Sequence, residues 1–232
     1  DNLTDVIAMN ITADNNLLDA FIDLPNLETI ALTDTSIVSI NNCFNNLVSL
    51  EILLIDSFNL ESIEDSFNNI FDTYLDSNEF IFADGKIGLI SNSFNGGNYE
   101  VIGIQSQIPV IGGTLIEDSF NDITLEGTEG LVIQNSNFVS ITGSFNNVVT
   151  DQLLLNNNDT ETITTSLVGS TIVGLLDLSD NKLETVPTLN QVTSVDEVDL
   201  NHNYLSTLSF IDTVPDLTTL DISFQRNPDL LV

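Results

Sequence analysis

Leu176-Asp177-Leu178-Ser179-Asp180-Asn181-Lys182-Leu183 returns 22 residues later as Val198-Asp199-Leu200-Asn201-His202-Asn203-Tyr204-Leu205. Apolar side chains stand first, third and eighth in both stretches, and an asparagine stands sixth. Self-similarity at a short fixed period marks a repeat architecture, in which each unit is too small to bury its own apolar face and buries it against its neighbours. With apolar residues at positions 1, 4, 6, 11, 14 and 18 and a polar or turn residue at 9, clear units start at Leu27, Leu50, Thr128, Thr150, Val173, Val195 and Leu217. Weaker units start near Thr4, Ser77 and Tyr99. Adjacent clear units are 22 or 23 residues apart; the two longer intervals place insertions at Asp72 to Asn78 and Pro109 to Thr114.

Alternation in these units lasts only a few residues, as in Leu53-Leu54-Ile55 and Leu153-Leu154-Leu155, too short for free-standing hairpin strands. No Asn-Gly-type turn links consecutive runs, so parallel stacking remains. At a strand spacing of about 4.8 Å, ten units make a sheet roughly 50 Å long.

The quoted stretches resemble the leucine-rich-repeat core LxxLxLxxNxL, and the resemblance extends over nearly the whole chain. The asparagine position is filled by Thr35, Phe58, Gly85, Gln107 and Ser136 in earlier units, which marks an irregular acidic member. The resemblance implies a single solenoid over residues 1–232, of about ten repeats, cut from a longer protein. It further implies a right-handed horseshoe with a curved parallel sheet on the concave side. The convex side, rich in Thr, Val, Ile and Asn, is expected to form loops, short strands or 3₁₀ turns rather than helices.

A second column recurs on the return side: Asn42-Cys43-Phe44-Asn45-Asn46, Asp65-Ser66-Phe67-Asn68-Asn69, Asn92-Ser93-Phe94-Asn95-Gly96, Asp118-Ser119-Phe120-Asn121-Asp122 and Gly143-Ser144-Phe145-Asn146-Asn147. These read as a stacked phenylalanine spine, with Ser and Asn bonding local backbone in turns. Cys43 stands in the serine column as a small buried substitute.

The composition sets the function classes. Thirty-five Asp and Glu face three Lys and Arg, a net charge of −32, which excludes nucleic acid and anionic membrane surfaces as partners. With 42% apolar residues and a mean hydropathy of +0.19 the chain nevertheless buries a core. No run is long and apolar enough for direct membrane insertion. A single cysteine and a single histidine, His202, leave out disulfides, Cys/His zinc sites and Ser/His or Cys/His catalysis, so the expectation is no enzyme and no catalytic residue.

Alternation sends the residue between positions 4 and 6 outward, giving a concave column of Ala8, Ala31, Leu54, Ile81, Gly103, Val132 and Leu154, followed by Asp177, Asp199 and Asp221. Leu54, Ile81, Val132, Leu154, Asp177, Asp199 and Asp221 are the expected binding residues, because an exposed apolar stripe marks a contact surface. No cofactor is expected, calcium being the one cation candidate, with Asp177, Asp180, Asp196 and Asp199 as its ligands. Asn2, Asn10 and Asn158 head N-x-[ST] triplets and are glycosylation candidates. The expected role is an extracellular or cell-surface recognition or adhesion module for a protein or glycan ligand. The alternative is a structural segment that assembles end to end with further copies of itself.

Overall fold

In the computed structural model the chain winds into a parallel β-solenoid of about 23 residues per turn. The structure describes residues 3–9, 15–57, 59–71, 79–83, 87–99, 102–106, 114–128, 130–208 and 214–226. Ten strands lie side by side in chain order as a front sheet: Asp5–Met9, Thr29–Thr35, Ile52–Ser57, Glu79–Ala83, Ile102–Ser106, Leu131–Gln134, Leu153–Leu154, Thr171–Asp177, Ser194–Asp199 and Thr219–Asp221. A flank sheet stacks Asn15–Leu18, Ile37–Asn41, Ser62–Glu64, Leu89–Ser91, Thr114–Glu117, Phe138–Thr142 and Thr162–Thr164. A rear row of Ile70–Phe71, Gly97–Tyr99, Ile123–Leu125 and Val149–Thr150 joins the front sheet through the first residues of Thr171–Asp177. The return side therefore carries two further runs of parallel strands. Among the described residues its only helix is the 3₁₀ turn Pro187–Gln191, opened by the proline that suits a first turn.

The register follows the sequence template in the clear units. Ile30 pairs with Leu53, Leu32 with Ile55, Ile40 with Ile63, and Leu131 with Leu153, which pairs with Leu176. In two of the three weak units, those starting near Thr4 and Ser77, the template is off by one residue. Val6 pairs with Ile30 and Ile7 with Ala31, so Ala8 falls in register with the buried Leu32, not in the outward column. Ile81 likewise pairs with Ile55 and Ile104, both buried, and Phe80 takes the place opposite Leu54 and Gly103. Because the strand period is two, one residue of slip exchanges the faces; the insertion at Asp72 to Asn78 precedes the second of these strands.

The phenylalanine column is the structure's most regular feature. Rings of Phe21, Phe44, Phe67, Phe94, Phe120 and Phe145 stack in parallel at centroid distances of 4.9–5.2 Å. All six have φ between 57° and 58°, in the left-handed region where a bulky residue is an outlier. Their neighbours two residues before and after are left-handed as well, as in Asp65, Phe67 and Asn69 at 49°, 58° and 57°. This makes a tight corner, and such geometry costs about 1–2 kcal/mol per residue for most side chains. The compensation is complete hydrogen bonding. In Asp65-Ser66-Phe67-Asn68-Asn69 the amides of Asp65 and Asn69 donate to Ser91 O and Asn95 O of the next turn, and that of Phe67 to Cys43 O of the previous one. The amides of Ser66 and Asn68 donate to Ser93 Oγ at 3.1 Å and Asn45 Oδ1 at 2.8 Å.

These last two bonds repeat as ladders. Each corner serine hydroxyl accepts from the previous turn and donates to the carbonyl two residues back, from Ser66 through Ser93, Ser119 and Ser144. Each corner asparagine bridges to the next turn, as Asn95 does by accepting from the Asn121 amide at 2.8 Å and donating to Asp118 O at 2.9 Å. The asparagines are thus ties between turns, where local bonds were expected. Two further corners depart from the five-residue motif. Asp19-Ala20-Phe21-Ile22-Asp23 lacks the serine and asparagine, and Thr165-Ser166-Leu167-Val168-Gly169 lacks the ring, yet both share the left-handed pattern.

A second asparagine ladder closes the front corner in later turns. Asn158 Oδ1 accepts from Ser136 N, Asn181 Oδ1 from Asn158 N and Thr160 N, and Asn203 Oδ1 from Leu183 N. In the early turns Thr35 and Ser57 occupy the column, their hydroxyls bonding to Asp56 O and Ile37 O. Ser57, not Phe58, is therefore the counterpart of Thr35; Phe58, Gly85 and Gln107 lie outside the described residues.

Candidate functional site

The front sheet's outward column runs Ile7, Ala31, Leu54, then through Phe80's strand position to Gly103, Val132, Leu154, Asp177, Asp199 and Asp221. Ile7 is 64% exposed, and Ile52, one outward position away from Leu54, is 47% exposed. Leu54, Val132 and Leu154 are partly exposed, Val132 lying between Leu131 and Ile133, both at 0%, and Leu154 between Leu153 at 0% and Leu155 at 1%. For Ile81, the register places the backbone in line with the inward column.

The aspartates continue the column on three successive strands. Asp177 Oδ1 accepts from Ser179 N at 2.9 Å and Ser179 Oγ at 2.6 Å. Asp199 accepts from Asn201 N and Nδ2, both at 2.9 Å, and Asp221 from Ser223 N at 2.8 Å. Each thus caps the turn after its strand, the usual local bond of an aspartate two residues ahead of a free amide. Burial, then the charges of Asp177 and Asp221 on either side, holds the Asp199 carboxyl above its ordinary value despite its bonds to Asn201. The Ser223 amide, the largest cause, holds the exposed Asp221 carboxyl below its ordinary value. The sign for Asp199 is that acidification through its raised value favours the folded state; for Asp221 the contribution is lost as pH falls through its depressed value.

Acids elsewhere are spaced differently. In the corner column the sequence alternates Asp19, Asn42, Asp65, Asn92, Asp118 and Gly143, one per turn. The intervening amides donate to the preceding carboxylate, Asn42 Nδ2 to Asp19 Oδ1 at 2.6 Å and Asn92 Nδ2 to Asp65 Oδ1 at 2.5 Å. Alternation keeps like charges about 10 Å apart, near a Debye length at 0.1 M salt.

The calcium candidates do not share one set of contacts. Asp180 faces Arg226 at 3.5 Å and His202 Nδ1 at 3.8 Å, whereas Asp177 and Asp199 are bound to their caps. The Asp196 carbonyl accepts from the Thr218 amide and hydroxyl. Among the described residues no group of three or more His, Cys, Asp or Glu side chains is gathered as a metal site. His202 stacks on Phe224 at 5.1 Å, and its Nδ1 meets Asn201 Oδ1 at 2.5 Å. Cys43 is buried, its Sγ donating to Asn41 O at 3.1 Å in the serine column, and burial pushes its thiol up. Asn158 must be corrected as a glycosylation candidate. It is 1% exposed and its Nδ2 donates to Ile133 O and Leu155 O, so the folded chain presents no acceptor there. Asn2 and Asn10 lie outside the described residues.

A groove of about 540 Å³ opens beside Glu161, Thr162, Lys182, Glu184, Thr185 and Tyr204. Lys182 pairs with Asp159 at 3.2 Å, and Arg226 lies 5.7 Å from the Tyr204 ring centre. These are the described cations, and both are committed to this corner. With −32 net charge and so few internal partners, the melting temperature should rise between about 10 mM and 1 M NaCl as the Debye length falls from about 30 to 3 Å. Each 1 kcal/mol of relieved repulsion is worth about 2–4 °C in a chain of this size. Thermal unfolding monitored by circular dichroism checks this, and an unchanged midpoint would show that self-repulsion does not limit stability. Among the described residues no helix is long and apolar enough to cross a membrane. No protein-family model, curated protein or solved structure matches the chain.

Proposed function

We propose that the chain is an irregular leucine-rich-repeat solenoid acting as a non-enzymatic recognition or adhesion module, outside the cell or on its surface, that holds a protein or glycan on its front sheet. The observation that carries the reading is the outward column itself, in which Leu54, Val132 and Leu154 stay partly exposed while the residues on either side of Leu154 are buried. A soluble surface gains nothing from such a stripe unless something covers it, and a covered Leu or Ile is worth roughly 1.5–3 kcal/mol. The Asn181 and Asn203 ladder supports the family assignment, since each side chain satisfies backbone groups of two turns at the end of a strand.

The test replaces Leu54 and Leu154 with Asp. Outward side chains tolerate the change, so the circular dichroism spectrum and melting temperature should stay close to those of the wild type, while ligands found on a panel of glycans and extracellular proteins lose binding by about 100-fold, from two lost contacts. Unfolding of the double variant would show the column to be core, and equal binding by both forms would remove the front sheet as the site.

A second reading is favoured by the end strands. Among the described residues Asp5–Met9 and Thr219–Asp221 each pair on one side only, and Phe224 beside the latter is 74% exposed. Open strand edges are templates for another chain, so a structural segment stacking end to end would give oligomers in light scattering, and a monomer at high concentration would count against it.

A further inference from the structure

We infer that the front sheet receives a cationic amphipathic polypeptide segment laid along the solenoid axis, its apolar side chains on the stretch from Ile7 to Leu154 and its lysines or arginines on Asp177, Asp199 and Asp221. This inference rests on the recognition reading above and deepens it by naming the partner's chemistry. Two independent observations carry it. The first is continuity: one outward column changes from aliphatic to acidic at Leu154 and Asp177, which are direct register partners. A ligand lying along it meets an apolar track and then a row of negative charge.

The second is a contrast within the molecule. At the phenylalanine corner the chain separates carboxylates with asparagine or glycine on alternate turns, and the asparagine amides donate hydrogen bonds to Asp19 and Asp65. On the front sheet three carboxylates occupy consecutive strands with no uncharged residue between them; Asp177 and Asp199 accept from their own turns, and Asp221 accepts from Ser223 and from the Asn201 side chain of the preceding turn. Lys182 and Arg226 are engaged with Asp159 and Asp180, so among the described residues no salt bridge reaches this column. Like charges at strand spacing repel, and a cation from another molecule reverses the sign of that interaction. Asp199, the middle member, is partly buried, which is where a charge partner counts most.

The alternatives fit less well. A second copy brings the same −32 and three basic residues, so it has little to offer the aspartates. A glycan would find acceptors at the three aspartates, but along the longer aliphatic stretch Ala31, Leu54, Gly103, Val132 and Leu154 offer its hydroxyls no partner from their side chains. The dimensions suit a helix. Six strand steps at about 4.8 Å make an apolar track near 29 Å, the length of about 19 helical residues, and a helix returns the same face every 5.4 Å.

The probe is a fluorescent synthetic peptide of about 25 residues, with leucines along one helical face and four lysines in its last turns, in about 0.15 M salt. Its counterpart carries glutamates for the lysines. Anisotropy should show saturable binding of the lysine peptide, weakened by about tenfold or more in D177N/D199N/D221N. Asparagine keeps the cap, since its Oδ1 still accepts from the following amide. The matched variant D65N/D118N/D122N removes the same charge from the opposite corner and should weaken binding by less than about threefold. Equal weakening by both triple variants would reduce the effect to diffuse attraction by the acidic surface and overturn the proposal. So would equal binding of the lysine and glutamate peptides, or no binding of either. If those failures came with a glycan or protein that the wild type binds and L54D/L154D does not, the recognition reading would survive and only the cationic partner would fall.

Discussion

Replacing Phe94 with alanine is expected to cost about 4–8 kcal/mol of stability. Deleting a buried phenylalanine side chain costs about 3–5 kcal/mol through lost transfer and the cavity left behind. Phe94 is 1% exposed and stacks on Phe67 at 5.0 Å and on Phe120 at 4.9 Å, and each ring pair adds about 0.5–1.5 kcal/mol. Its backbone, at φ 58°, gains no relief from the change, because alanine is no easier to hold in the left-handed region than phenylalanine. Phe94→Leu is the informative companion. Leu167 already fills the equivalent corner, fully buried at φ 66°, so leucine fits the conformation and the variant should lose only about 1–3 kcal/mol, for the two ring contacts. Urea titration followed by circular dichroism reads both. Equal small losses would show that the column is held by its hydrogen-bond ladders, with the rings as filler.

Gly97→Ala should be nearly as damaging, for a steric reason. Gly97 opens the rear strand Gly97–Tyr99 at φ 148°, and a Cβ there would stand 2.1 Å from the carbonyl oxygen of Ile70 on the adjacent strand. That oxygen is backbone in a paired strand and cannot swing aside. Strain in a glycine-only region costs about 1–3 kcal/mol, and overpacking about as much again, so a loss of about 3–5 kcal/mol is expected. Gly174→Ala is the control. Its nearest neighbour, Asp151 O, would be 3.0 Å away, so a small backbone adjustment accommodates the methyl. A melting temperature for Gly97→Ala equal to that of Gly174→Ala would mean that the two rear strands are not in contact.

The sequence shows the parallel stacking plainly because burial imposes it. Leu and Ile at inward positions recur whenever a strand returns, and the pairs Ile30–Leu53 and Leu131–Leu153 are read from spacing alone. The stacked phenylalanine column was legible too, and what escaped was the left-handed conformation of its corner. A phenylalanine with positive φ has no signature of its own in composition, and the Asx-x-Phe-x-Asx pattern becomes legible only once the left-handed residues are known to alternate. The rear row escaped for a related reason: strands of two or three residues such as Ile70–Phe71 and Ile123–Leu125 carry too few positions for alternation to be counted. The front column was legible except at Ala8 and Ile81, where irregular unit lengths moved the frame by one. Asn158 was misread because an N-x-[ST] triplet reports composition, while its place in a ladder depends on Asn181 in the following turn.

The corner also frees the chain from keeping its turns equal in length. Successive tie points, Cys43 to Ser66, Ser93, Ser119, Ser144 and Ser166, are separated by 23, 27, 26, 25 and 22 residues, yet the same hydrogen bond of 3.0–3.1 Å forms at every step. Alignment between turns is renewed at each corner, so an extra residue gained in one turn is not inherited by the next. A gene lineage built this way tolerates duplications with ragged ends and small insertions within any coil, provided each copy retains its five-residue corner. Imperfect repeats that hide the architecture from a sequence reader are what such tolerance leaves behind.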